Sequence, residues 1–263
     1  MEKIYNNHKN YFHKYIDNKE LEKFSQLWLD EKTIDYWRHN RMGFDISEFL
    51  INDDVNNSVL TIGDGKFGLD SIKLKKKGVK NVQPSDISDV LLKKSKDLSL
   101  IKEYHIVNAE NIPFEDNSFD YIFCKESVHH CPRPYQALYE MIRVSRKGVF
   151  LIEPLEKSHS IRSFVKKSFK IKKNNIIGNY EDSSNYLYMQ SLDEYIKLAI
   201  SLNMPNIAYK KINDHYQYGV EFKNKKSALF IKVLFMIILK NILSLLKLDN
   251  ENMLIFGFFK NKL

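Results

Sequence analysis

One stretch of this chain is the most informative about its fold: Val59-Leu60-Thr61-Ile62-Gly63-Asp64-Gly65-Lys66-Phe67-Gly68. Its first four residues predict a short strand, and its three glycines predict a tight turn. Glycines let a backbone approach a ligand where a Cβ would clash, and a helix that begins after such a turn directs its amides toward an anion. The stretch therefore predicts a nucleotide site. Because Gly63-x-Gly65-x-x-Gly68 also fits the dinucleotide fingerprint, the turn alone does not say which nucleotide binds.

Strands and helices alternate after this turn. Strands are predicted at Val59–Ile62, Val82–Asp86, His105–Asn108, Phe119–Cys124, Gly148–Ile152, Ile207–Ile212 and Met253–Phe259. Helices are predicted at Leu69–Lys77, Val90–Leu98, Tyr135–Val144 and Ser191–Asn203. Pro84 weakens the second strand, because proline removes a ladder donor. Alternation with short connections predicts an α/β fold with a mostly parallel sheet that is covered on both faces.

Helical patterns lie on either side of this core. Apolar residues at three- and four-residue spacing in Lys19–Glu31 and Ile34–Leu50 predict a helical N-terminal cap over residues 1–55. A single domain is expected over residues 56–263. Within it we expect a cover segment at 155–190 and a helical insertion at about 222–250, before the last strand.

The composition is that of a globular protein, with 263 residues, 43% of them hydrophobic and 28% charged. The net charge of +8 comes mainly from lysines, which we interpret as a solvated face, and no nucleic-acid partner is expected. An anionic small substrate would also fit this charge. Cys124 and Cys131 have neither zinc-site nor disulfide spacing, and Met1–Tyr5 has no apolar signal core, so we expect a cytoplasmic protein without a bound metal.

The segment Ser227–Leu248 is apolar and long enough to suggest a membrane span. Polar residues interrupt it largely on one side at helical spacing, namely Lys232, Lys240, Asn241, Ser244 and Lys247. This pattern favours an amphipathic helix that packs on the protein or forms a homodimer interface. A helix that lies on a membrane is the alternative, and a true span is the least favoured interpretation.

From Gly63 to Pro154 the chain resembles the class I S-adenosylmethionine-dependent methyltransferases, in particular those that act on small molecules. Five motifs in family order carry the resemblance: Val59–Gly65, Pro84–Ser88, Asn108–Phe114, Asp116–Phe123 with Ser127–Pro134, and Arg143–Val149. The chain departs from the family pattern at three positions. Thr61 replaces an acid, Phe67 stands where a glycine is usual, and Asn108 replaces an acid near the adenine amine.

The resemblance implies a Rossmann-like sheet of seven strands, with S-adenosylmethionine as cofactor and S-adenosylhomocysteine as product. It also implies that the cofactor contacts are Gly63, Asp64, Gly65, Asp86, Ile87, Asn108, Ala109, Glu110 and Cys124. A dehydrogenase is disfavoured. Tyr121 and Lys125 have the spacing of a Tyr-x-x-x-Lys pair, but they lie on a predicted strand, which does not align the two side chains.

An alcohol acceptor must lose a proton, so a base is expected after the fourth strand, where open α/β sheets bind ligands. The candidates are His129, His130 and Glu126. The alternatives for these residues are packing, contact with the cofactor, or a divalent metal held by Glu126-x-x-His129. The weaker candidates for acceptor contacts are Arg38, Arg41, Lys125, His215 and Tyr216.

The sequence looks most like methyltransferases of bacterial surface-polysaccharide biosynthesis. That likeness implies O-methylation of a sugar, or of its nucleotide- or phosphate-linked form, in capsule or lipopolysaccharide synthesis. Methylation of a phosphate-derived capsule substituent, or of another small molecule, is the nearby alternative. An RNA or protein methyltransferase and a non-catalytic cofactor-binding protein remain as other classes.

Overall fold

The structure, a computed structural model, describes residues 2–156, 186–204 and 206–260. Residues 157–185, which make up most of the predicted cover segment, lie outside the described residues.

Seven strands and ten α-helices are assigned within the described ranges. The strands are β1 Ser58–Ile62, β2 Asn81–Asp86, β3 His105–Ile106, β4 Phe119–Lys125, β5 Ser145–Pro154, β6 Asn206–Ile212 and β7 Met253–Phe259. The helices of the N-terminal region are α1 Glu2–Asn10, α2 Lys14–Asp17, α3 Lys19–Gln26, α4 Ile34–Met42 and α5 Phe44–Asp54. The remaining helices are α6 Leu69–Lys77, α7 Val90–Asp97, α8 Pro134–Val144, α9 Leu192–Ser201 and α10 Ala228–Leu245.

The seven strands form one sheet in the order β3-β2-β1-β4-β5-β7-β6. Strands β1 to β5 pair in parallel, and β7 runs antiparallel to both β5 and β6. This arrangement confirms the predicted Rossmann-like fold. The strand order reverses between β1 and β4, and the carboxyl end of the sheet at such a switch point is where open α/β folds bind ligands.

Two strands differ in detail from the prediction. β3 ends at Ile106, and Asn108 makes only an isolated bridge with Asn111. β2 runs through Pro84, although a proline was expected to weaken it. The ladder between β2 and β3 covers only Ser85 and Asp86, so Pro84 lies where β2 has a partner on one side alone.

Apolar clusters cover both faces of the sheet. One face packs against α8 and α9 through residues such as Leu138, Met141 and Leu198. The other packs against the N-terminal helices and α6 through residues such as Met42 and Leu74. Helix α9 begins with the predicted capping box, because Ser191 and Glu194 bond each other's backbone amides.

The N-terminal helices are joined to the C-terminal part of the chain. The Ile34 amide donates to the Lys223 carbonyl at 2.9 Å, and the Asp35 amide donates to the Glu221 carbonyl at 2.8 Å. The start of α4 is therefore held by a segment nearly two hundred residues away in sequence, and this contact positions α4 beside the carboxyl end of the sheet.

Candidate active site

The glycines of the turn after β1 lie where a side chain would not fit. Gly63 has φ +73°, and a Cβ there would lie 1.9 Å from the Ser127 hydroxyl oxygen. A Cβ on Gly65 would lie 2.6 Å from the Phe12 ring and 2.7 Å from the Asp86 carboxyl group. The turn therefore needs glycine at both positions, as the sequence predicts.

Thr61 and Asp64 form a local unit beneath this turn. Asp64 accepts hydrogen bonds from the Thr61 hydroxyl at 2.8 Å and from the amides of Asp70 and Ser71 at 3.0 Å each. These two amides belong to the first turn of α6, so Asp64 caps that helix. Burial and the nearby Asp70 carboxylate raise the pKa of Asp64 above its usual value. Thr61, which departs from the family pattern, thus helps to hold the aspartate that caps α6.

Phe67 links the turn to the N-terminal helices. It has φ +62°, which is uncommon for a residue other than glycine, and its side chain is fully buried. It packs in one cluster with Phe12, Tyr15, Trp28 and Leu91. The aromatic ring at this position therefore fastens the N-terminal helices over the turn.

Asp86 ends β2 at the carboxyl edge of the sheet, where it accepts from the Gly65 amide at 2.9 Å and the Ser88 amide at 2.8 Å. Burial raises the pKa of Asp86 to about 6, and these backbone amides oppose the rise. The carboxylate thus holds the glycine turn and lines the cavity next to it.

Two connected cavities open at this edge of the sheet. The smaller, of about 70 Å³, is lined by Asp86, Ile87, Asn108, Ala109 and Glu110, among others. The larger, of about 240 Å³, is lined by Gly63, Asp64, Asp86 and Ile87 and extends past the aromatic rings of Tyr11, Phe12 and Trp28. Its remaining wall carries Asp35, His39, Lys66, Asp70, Lys73, Lys125, Glu126 and His130. Both cavities share Gly63, Asp86, Ser127 and His130, so they form one continuous site.

A partly buried chain of charged and polar side chains leads to the larger cavity from α4. The Asp214 carboxylate bonds the Arg38 guanidinium, whose Nη1 donates to Asp35 Oδ1 at 3.0 Å. The His39 ring, one turn further along α4, has its Nε2 3.4 Å from Asp35 Oδ1 and its Nδ1 3.4 Å from Glu126 Oε2. His39 Nδ1 is buried and makes no hydrogen bond to any described residue. Burial and the nearby Lys125 lower the pKa of His39, so its imidazole is neutral at pH 7.

Glu126 closes this cluster from the end of β4. It has φ +50°, a strained backbone conformation for a glutamate. Burial acts to raise the pKa of Glu126, but the nearby His39 and Lys125 outweigh it and lower that pKa. Lys125 itself donates to both carboxyl oxygens of Asp70 at 2.8 and 3.0 Å.

Comparison with known proteins identifies the chain. A profile of the family described as "Methyltransferase domain" matches residues 60–152. The ubiquinone/menaquinone biosynthesis C-methyltransferase UbiE of Rickettsia massiliae (strain Mtu5) is 32% identical over 185 residues, covering 61% of this chain and 73% of that protein. The chain belongs to the class I S-adenosylmethionine-dependent methyltransferases.

Two solved structures show the same fold as this methyltransferase. Magnesium protoporphyrin IX methyltransferase (ChlM) from Synechocystis PCC 6803 has a TM-score of 0.57 at 12% identity, covering 96% of this chain and 98% of that one. The YcgJ protein of Bacillus subtilis has a TM-score of 0.53 at 18% identity, covering 83% of this chain and 99% of that one.

The cofactor of this methyltransferase is S-adenosylmethionine, and the residues at the paired cavities fit it. The turn at Gly63 and Gly65 excludes side chains, and the Asp86 carboxylate is placed to accept hydrogen bonds from ribose hydroxyls. The smaller cavity is lined by Asn108, Ala109 and Glu110, which the family resemblance predicts as cofactor contacts. The Glu110 carboxylate is also engaged with the Tyr5 hydroxyl and the Arg133 amide, at 2.6 and 2.8 Å.

Some predicted site residues lie elsewhere. Cys124 is fully buried in the apolar core under the sheet's edge and lines neither cavity. Arg38 and Arg41 were expected to contact the acceptor, but both guanidinium groups bond Asp214 instead. Tyr216 donates to Glu221 at 3.1 Å, and neither it nor His215 is among the described lining residues.

Two of the three candidate bases line the larger cavity, and the third supports the turn after β4. His130 and Glu126 line the larger cavity, as does Lys125. The His129 ring is buried beneath the turn after β4, with Nδ1 2.5 Å from Glu153 Oε2, and it is not among the described lining residues. Glu153 also accepts from the amides of Ser127 and Val128, so His129 is part of the support of that turn.

Asp35 and His39 were not predicted as site residues from the sequence. Their spacing of four residues on α4 was the available signal, because residues four apart lie on one face of a helix. The residues predicted from this helix were Arg38 and Arg41, and only the fold shows which face of α4 lines the cavity.

Proposed function

We propose that this methyltransferase transfers the methyl group to a hydroxyl oxygen of a small, polar, sugar-type acceptor in the cytoplasm, with His39 as the general base. The observation that carries the proposal is the neutral, partly buried imidazole of His39 in the cavity wall, beside Asp35. A base is required because an alcohol oxygen must lose its proton as it is methylated.

His39 is arranged for this role by its two nitrogens. Nε2 faces the Asp35 carboxylate, which favours the tautomer with its proton on Nε2. Nδ1 lies 3.4 Å from Glu126 Oε2 and makes no hydrogen bond to a described residue, so in this tautomer it carries the lone pair that takes the acceptor's proton. When bound, S-adenosylmethionine supplies an electrophilic methyl group on its positive sulfur. Arg38 acts as a positioning residue, because it holds Asp35 and is itself held by Asp214.

The cavity wall supports a polar, partly anionic acceptor. Asp70 is neutralised by Lys125, whereas Lys66 and Lys73 form no salt bridge with another described residue. These two ammonium groups can attract a phosphate attached to a sugar. Tyr11, Phe12 and Trp28 also line this cavity, so aromatic side chains are available to pack on the apolar C–H side of the same sugar. The link to a surface polysaccharide stays a prediction, since the relatives compared carry no such name.

C-methylation of a phenolic acceptor is the second candidate, favoured by the printed name of the Rickettsia relatives. This reaction also uses a base, because removing a phenol proton makes the ring carbon nucleophilic. The two candidates therefore share His39 and differ in the atom that is methylated.

The test is a screen of nucleotide-linked sugars, sugar phosphates and phenolic quinone precursors with methyl-labelled cofactor, followed by NMR of the product. A methoxy signal on a sugar is the expected result. A new carbon–methyl signal on a phenol ring would establish the second candidate and reject the first. Labelling of RNA or protein alone would reject both.

A further inference from the structure

Helix α10 exposes large apolar side chains, whereas an ordinary surface helix exposes polar ones. Its residues Ile231, Phe235, Ile238, Ile242 and Leu245 follow one another at alternating steps of four and three, and each is between 48% and 83% exposed. Only Val233 and Ile237 of this helix are buried. The helix is long and apolar enough to cross a membrane, yet only 11% of it is buried inside the protein.

Three polar residues in the C-terminal half of α10 bond the rest of the fold instead. The Asn213 side-chain amide donates to Asn241 Oδ1 at 3.0 Å and to the Ser244 hydroxyl oxygen at 3.1 Å. The Lys240 ammonium donates to the Asp214 carbonyl. These contacts fasten the C-terminal half of α10 to the fold by its polar side and leave its apolar side outward. An isolated apolar patch of this length marks an interaction surface.

The opposite end of α10 is held by apolar contacts. Phe230 packs edge-to-face on Trp37 with ring centres 4.8 Å apart, and Val233 and Ile237 pack with Ile34 and Val220. Because both ends are fastened to the protein, α10 is not free to span a bilayer. It can lie along a membrane surface with an apolar stripe buried at the headgroup boundary. This apolar stripe consists of Ile231, Phe235, Ile238, Ile242 and Leu245.

The charge around the stripe selects the kind of surface. Residues 222–248 contain six lysines and no aspartate or glutamate. Lys223, Lys225 and Lys226 are exposed just before the helix, Lys232 is exposed within it, and Lys247 is exposed just after it. Such a ring of cations repels a second copy of the same face and attracts anionic headgroups, toward which lysine side chains can extend.

We infer that α10 docks this methyltransferase on an anionic lipid bilayer, with the exposed apolar stripe inserted at the interface and the flanking lysines on the headgroups. Docking would bring the acceptor site close to the membrane, since α4 contacts α10 through Ile34 and Trp37 and lines the active-site cavity through Asp35 and His39. The inference does not depend on the identity of the acceptor.

The test is flotation of the full chain with phosphatidylcholine vesicles, with and without phosphatidylglycerol. We expect binding to the anionic vesicles that weakens as salt is raised, since salt screens exposed charges. The double variant Phe235→Ser/Ile238→Ser should weaken binding at least about tenfold, because two large apolar side chains are no longer present to move from water into the bilayer interface. Lys225→Gln/Lys232→Gln should weaken binding to the anionic vesicles alone.

Matched controls come from α9. Ile200 is 70% exposed and Lys197 is exposed on the same helix, so Ile200→Ser and Lys197→Gln should leave vesicle binding unchanged. All variants should bind S-adenosylhomocysteine as the unaltered chain does, which shows that they are folded. Absence of vesicle binding, or a dimer in sedimentation that Phe235→Ser/Ile238→Ser dissociates, would overturn the inference.

Discussion

The two walls of the active site are built in different ways. The cofactor wall comes from one continuous part of the chain, from β1 to the turn after β4, and its key contacts are backbone amides and a buried carboxylate. The wall that we propose for the acceptor is formed by α4 and Glu126 and supported by Asp214. These parts are far apart in sequence and meet through side-chain ion pairs and the contact between His39 and Glu126. The first wall is a local structure that the family shares. The second depends on how the helices of this chain pack.

This difference implies that the two walls can be altered separately. A substitution on the acceptor wall should change turnover and leave cofactor binding intact, whereas a substitution on the cofactor wall should change affinity first. Phe67 lies at the junction and should affect both through the packing of the N-terminal helices.

The largest effect is expected at His39. His39→Ala should lower kcat by about 10²- to 10⁴-fold at saturating cofactor and acceptor, the range for loss of a general base. S-adenosylhomocysteine affinity, measured by calorimetry, should be unchanged. His215→Ala serves as the control, because His215 is not among the described residues lining the cavity. Equal turnover in both variants would remove His39 from the chemistry.

Phe67→Ala should cost about 3 kcal/mol of unfolding free energy, since it leaves a cavity in a fully buried aromatic cluster. Urea unfolding followed by tryptophan fluorescence measures this loss, because Trp28 lies in the same cluster. Phe44→Ala is the matched control, as Phe44 is 48% exposed and should lose far less. Equal losses would show that Phe67 does not fasten the N-terminal helices.

Asp86→Asn should weaken cofactor binding about tenfold, because a charged acceptor of hydrogen bonds becomes neutral. Asparagine is the sharper test. Alanine would leave both the Gly65 and the Ser88 amide without a partner, whereas asparagine keeps one of the two accepting oxygens. Calorimetry with S-adenosylhomocysteine gives the affinity, and Asp97→Asn on exposed α7 is the control. An unchanged affinity would show that Asp86 supports the turn without contacting ribose.

The smallest predicted effect is in the pH profile of kcat. His39 must be neutral to accept a proton, and burial lowers its pKa. We therefore expect kcat to increase with pH, with the midpoint of the increase below pH 6.5. Lys73 is the competing base, since burial lowers its pKa to about 8. A midpoint near 8 would therefore assign the proton to Lys73. Saturating cofactor is needed, because the pKa of Asp86 is about 6 and its protonation weakens cofactor binding.

The strand–turn stretch at Val59–Gly68 and the motifs after it were sufficient to predict the sheet, the cofactor and the glycine turn. These features depend on residues close together in sequence, and the backbone requirements of a tight turn leave few alternatives to glycine. Prediction from the sequence was less successful where two residues of the same type could fill the same role. Of the adjacent pair His129 and His130, only one meets the cavity, and Glu153 decides which.

The fold and the cofactor of this protein can be predicted from its amino-acid sequence, because both are specified by contiguous patterns of glycines, apolar strands and one acidic residue. The tertiary structure was needed to show which side chains form the wall that we propose for the acceptor. That wall forms when Arg38 pairs with Asp214 and His39 comes to lie beside Glu126, and no spacing along the chain records such contacts. The outward apolar face of α10 is likewise a tertiary result, since its pattern in sequence is that of a helix that packs inward.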